Sequence, residues 1–433
     1  MVDSDKYNQE IEYIFRQFPS YQQVGKIAYK EGLETMIEFD RRLGHPHRDY
    51  PVIHVAGTNG KGSVSHMLTS ALMSCGVRVG LYTSPHLIDF RERIKVNGVM
   101  ISKEEVLNFL VKWKPFMDEH KPSFFEITTA MAFDHFRREM VDIAVIETGL
   151  GGRLDSTNIV TPLVSVITNI ALDHIEQLGS TISAIATEKA GIIKHSVPVV
   201  IGEYTTSTKE IFESVANKMG AHIVFSQDSL FSEIKATDYE LDLTGDCQTH
   251  NLRCVLTTLS VLSLNPTFIN VVGEGWSDEN IRNGLRSTAM ATGLRGRWEY
   301  LSKEPPVVCD TGHNVNGLTM VFSQLRRQSY KRLFSIVGFV ADKDIEKIVG
   351  LLPADSYFFF TQAKIARALN ADILASKCMS VGLKGEVCPT VESAIIRFKE
   401  IYKEGDYLFV GGSTFIVAEA IDFFEKNANY FAK

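Results

Sequence analysis

The chain has 433 residues, which suggests two or three domains and a core that needs no disulfide or metal to hold it. A composition of 45% hydrophobic and 22% charged residues is that of a globular protein, and it excludes a disordered, collagen-like or small disulfide-stapled chain. The formal net charge of −7, from 45 Lys and Arg against 52 Asp and Glu, argues against an electrostatically driven nucleic-acid binder, so any anionic ligand must be held by a local site.

Taken in chain order, the polar start MVDSDKYNQE lacks the pattern of a secretory signal. Pro51–Ala56 reads as a buried strand, followed by a Gly-rich turn and a helix from about Gly62 to Cys75. Val77–Tyr82 is a second strand, and Arg93–Ile101 a hairpin turning at Asn97-Gly98. Ser102 to Glu105 has the form of a capping box that opens a helix towards Asp118. Asp142–Glu147 and Leu163–Thr168 are further strands. The second half repeats the alternation, with strands at Val307–Asp310, Leu333–Gly338, Tyr357–Thr361 and Tyr407–Val410, and a last helix after Ser413. The small, Gly-containing run Ser287–Arg297 reads as the junction between two α/β domains, 1–295 and 296–433. The expected fold is therefore α/β, each domain built on a mainly parallel sheet covered on both faces. No uninterrupted apolar run reaches about 18 residues, so no membrane span is expected. The six cysteines are scattered, which fits reduced thiols and a cytoplasmic chain.

The sharpest local signal is Gly57-Thr58-Asn59-Gly60-Lys61-Gly62-Ser63, between a strand and a helix. Such glycines let backbone N–H groups turn around phosphate oxygens, and the helix N-terminus adds partial positive charge. Lys61 would reach the β- and γ-phosphates and Ser63 a Mg²⁺ ion. The strict phosphate-loop pattern is not met, because Val55 stands at its first glycine and Gly62 follows the lysine. Cys247, His250 and Cys254 share one helical face and offer three zinc ligands, one short of a structural zinc site. Gly411-Gly412-Ser413-Thr414 is a second Gly-rich strand–helix turn, read as a simple turn.

The loop resembles the signature of the Mur ligase superfamily, and the chain as a whole resembles its folylpolyglutamate synthase and dihydrofolate synthase family. The likeness runs in order through Tyr82–Leu87, Glu92–Ile94, Phe124–Thr129, Glu147–Asp155, Thr157-Asn158, Thr168–His174, Glu188–Lys194, Gly296-Arg297, Asp310–Asn314 and Asp342–Asp344. It implies an ATP-dependent ligase that activates a folate-type carboxylate as an acyl phosphate and joins it to the amine of L-glutamate. The substrates would be dihydropteroate or a folate, L-glutamate and ATP, and the enzyme a monomer that binds neither nucleic acid nor membrane.

The resemblance also implies roles. Ser63 and Glu147 would hold an ATP-linked Mg²⁺, and Ser84, Glu147 and His174 a second divalent ion. Lys189 becomes a candidate for carbamylation, which would turn a cation into an anionic ligand of that second ion. Asp310 would bind the ribose or adenine side, His313 the γ-phosphate, Arg297 phosphate, and Asn251 the adenine. Ser84, Pro85, His86, Phe124 and Phe125 would line the pterin site, and Asp155 would contact dihydropteroate. Thr311, Gly312 and Val315 depart from the family's pattern, as does Cys247. A K⁺ requirement is common among relatives, but no residue pattern here encodes it. Two rival readings are a UDP-muramyl amino-acid ligase of the same superfamily and a non-ligase ATP-binding regulator. The first usually carries a whole domain before the phosphate loop, whereas only 56 residues precede Gly57. The second needs neither an acceptor site nor the His174/Lys189 pair.

Overall fold

The computed structural model describes residues 4–18, 32–427 and 430–431. It divides into two units: Met1–Asp242 with Cys247–Leu294, and Leu243–Asp246 with Arg295–Lys433. The first is built on eight strands: β1 (Val52–Ala56), β2 (Val79–Tyr82), β3 (Ile94–Val96), β4 (Val99–Met100), β5 (Ile143–Glu147), β6 (Val164–Ile167), β7 (Val199–Ile201) and β8 (Ile223–Phe225). Their order is β4-β3-β2-β5-β1-β6-β7-β8. The run from β2 to β8 is parallel, and β3 and β4 form an antiparallel hairpin at one edge. That hairpin turns at Asn97 and Gly98, both at positive φ, as Asn-Gly permits.

β1 and β5 are buried along their whole length, as expected of central parallel strands. Register then sets the site. Val55 lies beside Glu147 and Ala56 beside Ile167, so the segments leaving β1, β5 and β6 emerge side by side at the carboxyl edge. Open α/β sheets bind ligands at this edge, where the strand order reverses. The helix Lys61–Ser74 follows β1, and all its residues from Ser63 to Leu72 are buried. One apolar cluster packs the helices Phe124–Arg138 and Lys103–His120 on one side of the sheet. Another packs the helices Ile182–Ala190 and Thr206–Met219 against β6 and β7.

The second unit holds β9 (Glu299–Lys303), β10 (Pro306–Asp310), β11 (Arg332–Val337), β12 (Ser356–Phe360), β13 (Lys384–Val387) and β14 (Asp406–Gly411), in the order β13-β12-β11-β14-β10-β9. All pairs are parallel except β9 with β10. The sequence pattern misses β7, β8, β9 and β13: β9 and β13 are half-exposed and lack an apolar run, and β7 and β8 are apolar runs of only three residues, VVI and IVF, too short to stand out. The expected junction contains a short helix, Thr288–Thr292, closed by Gly293 in the left-handed region. All six cysteines are free thiols. Among the described residues no single helix is long and apolar enough to cross a membrane.

Candidate active site

The loop after β1 is clamped by the segment after β6. The Thr58 N–H donates to the Asn169 carbonyl at 2.9 Å, and the Asn59 N–H to Asn169 Oδ1 at 2.8 Å. The Thr168 hydroxyl donates to the Asn59 carbonyl at 2.6 Å, and the Ala171 N–H to Thr58 Oγ1 at 3.0 Å. Gly60, at φ 84°, is the N-cap of the helix Lys61–Ser74, and no side chain caps that first turn. Its N–H groups therefore stay available to an anion. A β-carbon on Gly60 would lie 2.2 Å from Asn251 Oδ1, so the glycine admits the amide of Asn251 against the loop. Asn251 is buried and steadied by Gln248, to whose Oε1 its Nδ2 donates at 2.8 Å.

Two lysines meet at one carbonyl. Lys61 Nζ donates to the Gly57 and Thr58 carbonyls at 3.1 and 3.3 Å, and Lys189 Nζ to the Gly57 carbonyl at 2.7 Å. Lys189 is buried; desolvation and the Lys61 charge pull its pKa down to about 7, against the opposing pull of Asp173 and Asp155. The helix that carries it is tied to the loop after β5: the Arg153 N–H donates to the Glu188 carbonyl at 2.8 Å, and its guanidinium to Glu188 Oε1 at 2.9 Å. His174, at φ 49°, opens the short helix Ile175–Leu178, and its own N–H donates to Asp173 Oδ1 at 2.9 Å.

Glu147 ends β5 with its carboxylate buried, and the Ser84 N–H donates to Glu147 Oε2 at 3.2 Å. Ser63 is buried in the first turn after the loop. A hydroxyl and a carboxylate are the hard oxygen donors that Mg²⁺ prefers, so these residues fit a divalent ion. The Ser84–Asp89 segment is shaped by Glu92, whose carboxylate accepts the N–H groups of Leu87, Ile88 and Asp89 at 2.7 to 2.9 Å. Arg93 is buried; its Nε donates to His86 Nδ1 at 2.8 Å, and its guanidinium lies 5.2 Å from the centre of the Phe124 ring. Desolvation, and after it the Arg93 charge, lower the His86 pKa well below its ordinary value, against the opposing pull of Asp89.

The expected pterin residues separate. Phe124 is buried in the apolar core with Phe90 at its edge, 5.9 Å between ring centres. Phe125 is half-buried, and a β-carbon on Gly149 would lie 2.5 Å from its ring. Pro85 is exposed on the loop. Asp155 is buried with both oxygens committed inside the protein. Oδ2 accepts the N–H groups of Gly149 and Leu150 at 2.8 Å, and Oδ1 the N–H and hydroxyl of Thr157 at 3.0 and 2.5 Å. Asp155 thus holds the Gly149–Gly152 turn in shape from within. Thr157 Oγ1 in turn lies 2.8 Å from Nε2 of His54 on β1.

In the second unit Asp310 is also buried, accepting the N–H groups of Trp298 and Gly312 at 2.8 and 2.7 Å. Desolvation pushes its carboxyl pKa up, and Arg297 is the first charge opposing that shift. His313 Nδ1 lies 3.0 Å from the Thr311 carbonyl, which gives that nitrogen the proton. The Cys247, His250 and Cys254 side chains do not gather into a zinc site. His250 Nδ1 is 3.1 Å from Glu203, and Cys254 is a buried thiol pushed up to about 12 by desolvation. The sequence reading assigns no role to Glu92, Thr168 or Asn169. Each lies in a matched motif, but its task depends on a partner the local pattern does not name.

A Gly-rich anion loop on a central parallel strand, with an acidic strand end beside it, defines a nucleotide-binding α/β protein. The Mur ligase middle domain matches residues 55–289, and the Mur ligase glutamate ligase domain residues 296–414. The chain belongs to the Mur ligase family, in the branch of the folylpolyglutamate and dihydrofolate synthases.

The dihydrofolate synthase/folylpolyglutamate synthase of Bacillus subtilis is 33% identical, over 91% of this chain and 95% of the relative. The probable bifunctional folylpolyglutamate synthase/dihydropteroate synthase of Halobacterium salinarum is 34% identical over 90% of this chain, and the chain spans about half, 49%, of that relative's length. Among solved structures, E. coli FolC in complex with DHPP and ADP is similar at a TM-score of 0.84 and 27% identity over 98% of each chain. A bifunctional folylpolyglutamate synthase/dihydrofolate synthase with Mn, AMPPNP and L-glutamate bound has a TM-score of 0.78 and 27% identity, over 92% of this chain and 95% of that one.

Proposed function

We propose that the chain is an ATP-dependent ligase that adds L-glutamate to dihydropteroate, to the γ-carboxylate of folates, or to both. The observation that carries this reading is the convergence of Lys61 and Lys189 on the Gly57 carbonyl of an uncapped anion loop, at the strand edge that also bears Glu147. The relatives named for these activities support it.

An oxygen of the acceptor carboxylate attacks the γ-phosphorus of ATP, the bond to the bridging oxygen breaks, and ADP leaves. The neutral amine of glutamate then attacks the carbonyl of the acyl phosphate, phosphate leaves, and the amine proton passes to solvent. Two anions must approach each other in the first step, so charge neutralisation and alignment are the protein's main tasks. Lys61 and the first-turn N–H groups receive the phosphates. Arg297 and His313 are assigned to phosphate, and Asp310 and Asn251 to the nucleoside. Ser63 and Glu147 would hold Mg²⁺ on the triphosphate; Ser84, Glu147 and His174 would hold a second ion, and either would supply charge neutralisation. Lys189, with its pKa lowered to about 7, has the neutral amine that attack on CO₂ requires. The new N–C bond releases a proton and leaves an anionic carbamate. Ser84, Pro85, His86 and Phe125 face the acceptor's pterin in this reading. The enzyme is taken as monomeric and cytoplasmic on the family resemblance.

The test is phosphate release from ATP with L-glutamate and, in turn, dihydropteroate, tetrahydrofolate or a UDP-muramyl acceptor. Turnover with either of the first two is expected. Turnover with the last alone, or hydrolysis indifferent to every acceptor, overturns the reading in favour of the two rivals.

A further inference from the structure

A second group of ligand atoms lies at the far end of the helix Phe124–Arg138. His135 is in its last turn, and Glu139, one helical turn on, is its C-cap. Glu105 comes from the first turn of the neighbouring helix Lys103–His120. One ligand atom from each of the three residues lies within 4.8 Å of the others. His135 is 3% exposed, and its Nδ1 is buried without a hydrogen bond, although Glu105 Oε1 lies 3.3 Å away. A separation of about 3.3 Å is the edge of a tetrahedron whose N and O ligands stand about 2.0–2.1 Å from a central zinc ion.

Each carboxylate has one oxygen committed to the fold and a second to offer. Glu105 Oε2 accepts the N–H and hydroxyl of Ser102 at 3.2 and 2.8 Å. Glu139 Oε2 accepts the Arg78 guanidinium. The nearby Arg138 is turned away to Asp134, 3.0 Å from Nε to Oδ2.

We propose that Glu105, His135 and Glu139 bind one divalent cation of the zinc class, with water in the fourth position. One imidazole and two carboxylates suit Zn²⁺ or Co²⁺, whereas Mg²⁺ takes oxygen ligands and keeps its waters. The ion would bridge the start of one helix to the end of the other. Ten residues of helix, about 15 Å, separate His135 from Phe125 at the acceptor end, so this site is distinct from the ions of the proposed reaction.

The test is a Co²⁺ titration of the full chain in excess Mg²⁺ and ADP, read by visible absorption, with thermal melts in the presence and absence of Zn²⁺. The site is read as the one Co²⁺ equivalent that Glu139→Gln loses relative to the wild type, so Co²⁺ at the second ion of the proposed reaction, present in both, does not enter the result and the test is independent of the ligase reading. That equivalent is expected to be displaced by Zn²⁺ and to bind about tenfold or more weaker in His135→Gln and Glu139→Gln, each of which removes a ligand. Zn²⁺ should raise the melting temperature of the wild type and not that of Glu139→Gln. Glu139 is partly exposed, so its variant decides the matter if His135→Gln does not fold. Co²⁺ uptake that is equal in the wild type and Glu139→Gln, or absent from the wild type, overturns the site.

Discussion

Two Gly-rich turns lead from a central strand into a helix, one after β1 and one after β14, and they differ in how the helix begins. After β14, Gly412 is at φ 94°, and Ser413 caps the helix Thr414–Lys426 by accepting the Ile416 N–H at 3.2 Å. After β1, the N-cap is Gly60, which has no side chain to offer, and Lys61 and Lys189 converge on the loop. Glycine content alone therefore does not make an anion site. What makes one is a helix start left uncapped, with cations placed beside it.

The largest expected effect follows from that difference. Lys61→Met keeps the stem and removes the charge, so turnover should fall on the order of 10²–10³-fold or more, as when a transition-state donor is lost, while the melting temperature holds. Activity within a few-fold of wild type would break the contrast between the two turns. Lys189→Ala comes next: its loss should be similar in order, and short carboxylic acids should restore part of the activity if the residue acts as a carbamate. A dead variant that no carboxylic acid rescues would leave Lys189 as a cation and remove the proposed carbamate.

How far the site is legible in sequence depends on whether a residue's task is local. The loop Gly57–Ser63 is readable because strand, turn and helix start are contiguous, and the Asn97-Gly98 hairpin for the same reason. The clamp of Thr168, Asn169 and Ala171 on Thr58 and Asn59 spans more than one hundred positions and depends on β1 pairing with β6. Asp155 shows the converse. Its motif implies a substrate contact, and in the structure its oxygens also hold two segments of its own chain, a task the motif does not announce. The helix Lys61–Ser74, buried on every side, has no periodic apolar face to announce which neighbours it packs against.

His54 gives a pH-dependent test on β1, the strand that positions the first turn. It is fully buried, and desolvation, helped by Lys194, lowers its pKa to about 3. Between pH 6.5 and 3 the unfolded chain binds a proton there that the folded chain refuses. The stabilisation is therefore complete above pH 6.5 and is lost as pH falls, by about 3 kcal/mol at pH 4. Urea melts of the wild type and His54→Gln across that range should differ in slope by roughly one proton. Parallel slopes would show that His54 charges normally and that the strand tolerates it.

The smallest effect falls on the second turn and separates a cap from an anion site. Ser413→Ala removes the oxygen that accepts the Ile416 N–H, and a lost N-cap costs about 1 kcal/mol. The midpoint of unfolding should drop accordingly, while the KM for ATP stays within about twofold, because the phosphates belong to the uncapped turn after β1. A KM for ATP raised tenfold without loss of stability would mean that the capped turn also receives the nucleotide. The presence of a serine cap would then not distinguish the two turns, and the distinction would rest on the lysines alone.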